Sequence, residues 1–253
     1  DFKFSAENLP YDDRTYEAMI KASVVILANN KELAFKVIDD VAKKATKIFV
    51  ATKGMDKFFP KEKIMITGNP IRKAIAEMHV NKTEALKSFN LQSDKTTVLS
   101  VGGSLGARSI NESIATSLDK LMANDLQLIW QTGKLYVDGK SVTAGKKAVW
   151  VNDFIQQMEM AYAAADVVIS RAGAMSVAEL CVVAKPTVFV PFPYAAEDHQ
   201  TFNAKSLVDQ QAALMVKDSD VKDVLIDTVI GLAKDRVKQE ILKKNIAKNA
   251  VMN

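Results

Sequence analysis

The chain has 253 residues, of which 48% are hydrophobic and 25% charged, a composition typical of a soluble globular protein and not of a disordered or fibrous one. The net charge of +4 is small and its lysines and arginines are spread along the chain, which argues against a nucleic-acid-binding protein. Because there is one cysteine, no apolar run of ~18 residues and no signal peptide at "DFKFSAENLP", we expect a cytoplasmic protein without an internal disulfide.

Short runs of β-branched and apolar residues alternate with amphipathic stretches along the whole chain. The predicted strands are 23–28, 46–52, 63–67, 96–101, 126–131, 147–151, 166–171, 186–191 and 212–216. The predicted helices include 31–44, 105–123, 154–164, 175–183 and 200–209. Nearly continuous apolar strands that alternate with helices predict an α/β fold with a parallel sheet covered on both faces.

The stretch "TGNPIRKAI" (67–75) is the predicted seam between two parts of the chain. Its Gly-Asn-Pro sequence can end a strand, turn the chain and open a helix. Residues 69–253 have the pattern of one complete α/β domain. Residues 1–68 contain at most three strands, and the first 53 residues contain no glycine with which to build a phosphate-binding loop. We therefore expect a thinner N-terminal portion before a full C-terminal domain.

The stretch "LSVGGSLGAR" (99–108) reads as a strand, a glycine turn and the start of a helix. Helix N-termini present unpaired N–H groups and attract phosphate, and Ser104 can donate a hydroxyl hydrogen bond. The pattern also occurs in dinucleotide-binding folds and in plain strand-to-helix packing. It is not a P-loop, because no lysine follows the last glycine.

A second turn of this kind lies in "ADVVISRAGAMSVAEL" (165–180). Gly173 frees the backbone, Ser176 can cap the helix, and Glu179 lies one turn into it, where it can cap or can bind the paired hydroxyls of a ribose. Two such loops at strand C-termini would face one crevice. The two loops together favour a nucleotide diphosphate as the ligand.

A third polar stretch, "VPFPYAAEDHQTFNAKSL" (190–207), follows the next predicted strand. Gln200 and Asn203 are three residues apart and share a helix face, where amides suit a ligand rich in hydroxyls. The alternative is an N-cap at Asp198 with solvated polar neighbours. The "DSD" at 218–220 has the spacing of a metal-binding DxD, but its place before a helix favours an N-cap, so we expect neither a metal nor a cofactor.

These stretches, together with "NDFIQQMEMAYAAADVVISRAGAMSVAEL", resemble the C-terminal half of the MurG family over about residues 43 to 235, in family order. That family transfers N-acetylglucosamine from UDP-N-acetylglucosamine to lipid I, at the inner face of the bacterial cell membrane, to form lipid II for peptidoglycan. The resemblance implies a GT-B fold, in which two Rossmann-like domains face each other across a cleft and the C-terminal one holds the donor.

The resemblance also implies a role for individual residues. Arg72 and Ser104 would meet the diphosphate, the backbone of Ile155 would recognise uracil while its side chain is core, and Glu179 would hold the ribose hydroxyls. The start of the nucleotide-binding helix would be Gly173, Ala174, Met175 and Ser176. Gln200 and Asn203 would contact the sugar.

The resemblance stops at the N-terminal end. Residues 1–42 lack the glycine-rich loops, the histidine and the asparagine-containing segment with which the family builds its acceptor side, so we expect a shortened or replaced partner domain. Two readings follow: a transferase acting on lipid I, or a module that binds UDP-N-acetylglucosamine without turning it over. A dinucleotide-dependent oxidoreductase is a third. It needs an acidic residue ~20 positions past the turn, where Asp119 and Asp125 lie in a predicted helix and the turn after it.

Overall fold

The computed structural model describes residues 40–51, 54–136, 138–195 and 198–251. The predicted strand 23–28 and most of the predicted helix 31–44 lie outside the described residues. The chain divides into two compact units, Asp1–Thr67 and Gly68–Asn253. The division falls one residue before the seam that the sequence predicts at position 69.

The described part of the first unit contains a short parallel strand pair. Strand β1 (Ile48–Val50) pairs with β2 (Ile64–Ile66), with Ile48 opposite Ile64. Residues 40–44 are helical, and the Lys63 Nζ donates to the carbonyl of Lys43 at 2.7 Å. Both strands lie inside the predicted runs 46–52 and 63–67 and are shorter than predicted.

The second unit is built on a six-stranded sheet in which every described strand pair is parallel. The strand order is β5-β4-β3-β6-β7-β8. The strands are β3 (Thr96–Val101), β4 (Leu126–Gln131), β5 (Val149–Asn152), β6 (Val167–Ser170), β7 (Thr187–Phe189) and β8 (Leu214–Met215). The predicted parallel α/β fold is confirmed, and the predicted bounds of β3 and β4 are the observed ones.

The helices of this unit are α1 (Lys73–Ala76), α2 (Lys82–Ser88), α3 (Arg108–Ala123), α4 (Gly139–Val142), α5 (Met158–Ala164), α6 (Ala174–Val183), α7 (His199–Val208), α8 (Val221–Lys234) and α9 (Arg236–Ala247). Helix α3 begins three residues later than predicted. The reason is a tight turn in which the Gly106 N–H donates to the Gly103 carbonyl at 3.0 Å, with a φ of 87° at Gly106. Helix α5 begins four residues later than predicted, because residues 154–157 remain in a loop.

Helices cover both faces of the sheet. One apolar layer joins β3 through Leu99 to α2, α5, α6 and α7, and the other joins it through Val98 to α3 and α8. Adjacent residues of one strand therefore contribute to opposite layers, which explains why β3 and β4 carry neighbouring apolar residues and lack a strict alternation of apolar and polar ones. Helix α9 adds Leu242 to one layer and Ile246 to the other.

The strand order creates a switch point between β3 and β6. The chain runs from β3 through β4 to β5 on one side of the sheet, and from β6 through β7 to β8 on the other. Val101 at the end of β3 lies opposite Ser170 at the end of β6. The loops that follow these two strands therefore leave from neighbouring positions, and open α/β sheets bind their ligands in the crevice between such loops.

Candidate functional site

The turn after β3 is held by backbone contacts to the turn after β4. A Cβ built on Gly106 would lie 2.1 Å from the Thr132 carbonyl oxygen, and one on Gly133 would lie 2.0 Å from the Gly106 nitrogen. The Lys134 N–H donates to the Ser104 carbonyl at 3.2 Å. Glycine is therefore required at both positions, and the turn that carries Ser104 is fixed while its side chain stays exposed.

The two helices that start at the switch point have no side-chain caps. The N-cap residues are Ala107 for α3 and Gly173 for α6, and neither helix has an acidic residue in its first turn. The hydroxyls of Ser104 and Ser176 form no hydrogen bond with another described residue. These helix starts keep unpaired N–H groups and the positive end of the helix dipole, so they favour an anion.

The space in front of α6 is open at Gly173. Its φ of −64° suits any residue, and a Cβ built there has no heavy atom within 4 Å. The next two residues, Ala174 and Met175, are exposed, and Ser176 is half-buried. Neither backbone strain nor packing within the described protein requires a glycine at position 173, which leaves room for a ligand to approach the backbone.

Glu179 is buried within α6 and carries three hydrogen bonds. Its Oε1 accepts from Arg72 Nε at 3.0 Å, and its Oε2 accepts from Arg72 Nη2 at 3.1 Å and from Tyr162 Oη at 3.1 Å. The side chain of Asn69 donates to the Ala174 carbonyl at 3.4 Å. The "GNPIR" motif thus contacts the predicted nucleotide-binding helix at its first residue and again at Glu179, which brings two predicted site residues together.

Tyr162 is a member of this cluster that the sequence did not indicate. It lies on α5, is 3% exposed, and packs within the apolar layer that also contains Leu180. Burial, followed by the charge of Glu179, raises the pKa of its hydroxyl, which remains a neutral donor. The stretch "AYAAA" around it reads as ordinary helix packing, so only the fold reveals the contact.

Ile155 lies in the loop between β5 and α5. Its side chain is 2% exposed and belongs to the same apolar layer as Met158, as expected for a core residue. Its backbone N–H and carbonyl form no hydrogen bond with another described residue. These two backbone groups are therefore the polar part of Ile155 that a ligand can use.

Gln200 and Asn203 on α7 bind the loop that follows β6, and Gln200 also binds the loop that follows β7. Gln200 Oε1 accepts from the N–H groups of Ala172 at 3.2 Å and Phe192 at 3.0 Å, and Asn203 Nδ2 donates to the Ala172 carbonyl at 3.0 Å. Each amide keeps one unused end among the described residues: the Nε2 of Gln200 and the Oδ1 of Asn203. Both side chains hold the loop beside Gly173 and retain a polar group for a ligand.

Asp198 occupies the N-cap position of α7 but makes no capping hydrogen bond to the backbone. Its Oδ1 accepts instead from the Thr201 hydroxyl at 2.6 Å. The capping role predicted for an aspartate of the "DSD" is wrong for the same reason, since neither aspartate accepts a capping hydrogen bond from the backbone of α8. Asp220 stands at the N-cap of α8 without capping it, and Asp218 binds Arg171.

Arg171, directly after β6, is a second residue that the sequence did not indicate. Its Nη1 lies 2.5 Å from Asp218 Oδ1 and donates to the carbonyls of Val190 and Pro191, both at 3.1 Å. Its Nη2 donates to the Ser109 hydroxyl on α3 at 3.1 Å. One side chain, 13% exposed, therefore ties together the loops after β6 and β7, the first turn of α3 and the turn after β8.

A cleft of about 270 Å³ opens beside the crevice, at the ends of β4 and β5. Lys134, Lys140, Tyr136 and Asn152 are among its lining residues, and none of the ten predicted site residues is. Except for Arg72 and Ile155, the predicted residues instead lie in the segments that follow β3, β6 and β7. Among the described residues there is no group of three or more histidine, cysteine or acidic side chains placed to hold a metal ion.

The Glycosyltransferase family 28 C-terminal domain matches residues 97–252. Transferases named UDP-N-acetylglucosamine--N-acetylmuramyl-(pentapeptide) pyrophosphoryl-undecaprenol N-acetylglucosamine transferase are similar to this chain. The one from Parabacteroides distasonis is 51% identical over 81% of this chain and 57% of its own length. The one from Bacteroides thetaiotaomicron is 50% identical over 83% of this chain and 58% of its own length. The crystal structure of Acinetobacter baumannii MurG is 26% identical, with a TM-score of 0.61 over 84% of this chain and 65% of that one.

The chain belongs to the MurG family. Its second unit has the GT-B-type, Rossmann-like fold that the resemblance implied. The chain spans a little over half the length of the curated MurG relatives described above. A UDP complex of Staphylococcus aureus MnaA, 13% identical with a TM-score of 0.57 over 83% of this chain and 58% of that one, is similar in fold alone.

The geometry is unfavourable for the dinucleotide-dependent oxidoreductase. In that fold the ribose-binding acid stands at the end of the second strand of the unit, which is β4 here. The residue there is Gln131, whose Nε2 donates to the Gly103 carbonyl at 3.1 Å. Asp119 lies within α3 and Asp125 precedes β4, at the opposite edge of the sheet.

Proposed function

We propose that this chain binds UDP-N-acetylglucosamine and provides the donor side of a transferase that moves N-acetylglucosamine to lipid I. The observation that carries the proposal is the pair of uncapped helix starts at the neighbouring ends of β3 and β6. A diphosphate placed there meets unpaired N–H groups, two positive helix ends and the hydroxyls of Ser104 and Ser176. Membership of the MurG family supports the identity of the donor.

The remaining parts of the donor follow from the position of the diphosphate. Uracil is assigned to the backbone of Ile155, whose N–H and carbonyl have no other described partner. Ribose is assigned to the Glu179 carboxylate, and the sugar to the unused amide ends of Gln200 and Asn203. Arg72 is assigned to the diphosphate, which requires it to exchange Glu179 for a phosphate oxygen.

In the proposed reaction a hydroxyl of the acceptor attacks the anomeric carbon. The bond from that carbon to the β-phosphate oxygen breaks, and UDP leaves with an additional negative charge. The helix starts at α3 and α6 and the Arg72 guanidinium stabilise that charge, which is the contribution the described residues make to the transition state. Orienting the acceptor and removing its proton require further groups.

A second candidate function is a module that binds the donor without transferring it. It is favoured by the site itself, since every group assigned above contacts the donor and none is assigned to the acceptor. Calorimetry with UDP-N-acetylglucosamine tests binding, and release of UDP with and without a lipid I analogue tests transfer. Binding with acceptor-dependent release supports the transferase, binding without it supports the module, and no binding contradicts both.

Because the proposed acceptor is lipid-linked, we place the protein at the cytoplasmic face of the cell membrane as a peripheral protein. None of the described helices has both the length and the apolar character needed to cross a bilayer. Co-sedimentation with vesicles that contain a lipid I analogue, compared with vesicles that lack it, tests this placement. If the protein sediments with neither kind of vesicle, the placement at the membrane is contradicted.

A further inference from the structure

The Glu179 carboxylate is nearly saturated with hydrogen bonds before any ligand is present. It accepts two from Arg72 and one from Tyr162. A carboxylate offers about four lone-pair sites, so about one remains. The two hydroxyls of a ribose need two, and one of the present partners must therefore leave when a ribose binds there.

Arg72 is the partner that can leave at low cost. Its side chain is 49% exposed, and it stands at the N-cap of α1, a helix of four residues. A guanidinium that leaves Glu179 enters water or pairs with a phosphate, so its charge stays solvated or compensated. Arg72 is an exchangeable partner.

Tyr162 cannot leave in the same way. It is 3% exposed on α5, which packs against α2 and β3, and its ring lies among apolar residues of the core layer. Rotating it away from Glu179 would leave its hydroxyl buried without an acceptor and open a void in a close-packed layer. Tyr162 is a fixed partner.

We propose that Tyr162 is a positioning residue that holds Glu179 for the ribose while Arg72 exchanges from Glu179 to the diphosphate. This inference rests on the proposed function, since it needs a nucleotide whose ribose meets Glu179. It assigns Tyr162 no contact with the nucleotide. Its effect is on the orientation of one carboxylate, so it appears as discrimination between nucleotides that differ at the ribose.

The test compares binding of UDP and 2′-deoxy-UDP by calorimetry for the unaltered chain, Tyr162→Phe and Arg72→Ala. The unaltered chain should prefer UDP by about tenfold or more, as expected for a hydrogen bond to a charged group. Tyr162→Phe should reduce that preference to about threefold or less. Arg72→Ala should bind both nucleotides more weakly and keep the preference, because it removes the exchangeable partner only.

Tyr136→Phe is the matched control, since Tyr136 belongs to the apolar layer on the other face of the sheet, where its ring packs against Trp130. It should change neither affinity. Circular dichroism and thermal unfolding establish whether each variant is folded. If Tyr162→Phe does not fold, the comparison of UDP with 2′-deoxy-UDP in Arg72→Ala still tests the inference.

Each contrary result has a separate meaning. If Tyr162→Phe weakens both nucleotides equally, Tyr162 only packs and the inference is overturned while the proposed function stands. If Arg72→Ala abolishes the preference, the two roles are reversed and the inference is equally overturned. If the unaltered chain binds UDP and 2′-deoxy-UDP with equal affinity, Glu179 does not bind the ribose and the inference is overturned. If it binds neither nucleotide, the proposed function fails as well.

Discussion

The two edges of the sheet in the second unit treat their polar groups in opposite ways. At the amino edge, Asp166 accepts from Lys82 Nζ at 2.5 Å and from the Thr97 N–H at 2.8 Å. Gln127 donates to the Thr97 hydroxyl at 2.8 Å, and the Lys185 Nζ donates to the Ala165 carbonyl at 2.8 Å. The polar side chains that link the elements at this edge find their partners within the protein.

At the carboxyl edge the same kinds of element end with groups that have no described partner. No described residue forms a hydrogen bond with the hydroxyls of Ser104 and Ser176 or with the first N–H groups of α3 and α6. A buried polar group costs free energy when it is unpaired, so satisfied networks hold a fold together. The groups without a described partner at the carboxyl edge are the ones to which the proposed diphosphate would bind.

The Arg171–Asp218 pair is the exception that most directly tests this comparison, because it is a satisfied pair at the carboxyl edge. Its two side chains are 13% and 21% exposed. Arg171→Met should lower the free energy of unfolding by about 3 kcal/mol, since it leaves the largely buried Asp218 carboxylate without its charged partner. It should also weaken UDP binding, because the loops it ties carry the site. Urea unfolding and calorimetry measure the two effects.

Arg108→Met is the control for that variant. Arg108 pairs with Glu112 and its side chain is 89% exposed, so its loss should leave the free energy of unfolding almost unchanged. An Arg171→Met protein as stable as the Arg108→Met protein would show that the carboxyl edge contains no such anchor.

Asp166→Ala should separate stability from binding. It removes the acceptor of the Thr97 N–H and the partner of Lys82, so we expect a loss of about 2 kcal/mol in the free energy of unfolding. The affinity for UDP should not change, because Asp166 lies at the opposite edge from the site. Asp119→Ala, at a side chain that is 88% exposed, provides the control with little expected effect. A fall in UDP affinity for Asp166→Ala alone would undo the division of roles.

Gly173→Ala should lower the affinity for UDP without lowering the stability of the protein. A Cβ at this position meets no atom of the described protein, so stability should be unchanged or slightly higher, while UDP affinity should fall by about tenfold as the methyl group occupies ligand space, a loss of ~1.4 kcal/mol. Gly231→Ala within α8, which is also free of contacts, is the matched control and should leave UDP binding unchanged. Equal UDP affinities for the two variants would mean that the space before α6 is not used.

Lys185→Met should reveal the smallest effect, at the amino edge. Burial lowers the pKa of Lys185 to about 8 from its usual 10.5. Between these values the unfolded chain keeps the proton and the folded chain releases it, so the unaltered protein gains stability as pH rises. The free energy of unfolding of the unaltered protein, minus that of Lys185→Met, should therefore increase by about 1 kcal/mol from pH 8.5 to pH 9.5. Urea titrations at both pH values measure it, and a constant difference would contradict the burial of that charge.

The central strands could be predicted closely because burial on both faces leaves a plain record in the sequence. The runs 96–101 and 126–131 place apolar residues on both faces of their strands, and they coincide with β3 and β4. The start of α3 could not be placed, because the left-handed turn at Gly106 depends on a neighbouring turn 27 residues further along the chain. Element type followed from local pattern, whereas the exact start depended on contacts made elsewhere.

The candidate site was predicted residue by residue but not as a set of partners. Arg72 and Glu179 are separated by 107 residues in the chain, and nothing in either motif indicates that they pair. The "DSD" suggested a cap because local spacing cannot show that Asp218 meets Arg171, 47 residues away. Tyr162 gave no signal, since an aromatic residue in a small-residue helix is usually core. Pairings between distant charged and polar groups are set by the tertiary fold.

The contact between Gly106 and Gly133 has a consequence for how a nucleotide would be received. Two chain reversals touch there through bare backbone, without any side chain whose rotation could absorb a displacement. The turn after β3 is therefore preorganised by the turn after β4. It would lose little further conformational entropy when a diphosphate binds. Any movement on binding should be sought at the Arg72 side chain, which is exposed and exchangeable, and not in the segment that carries Ser104.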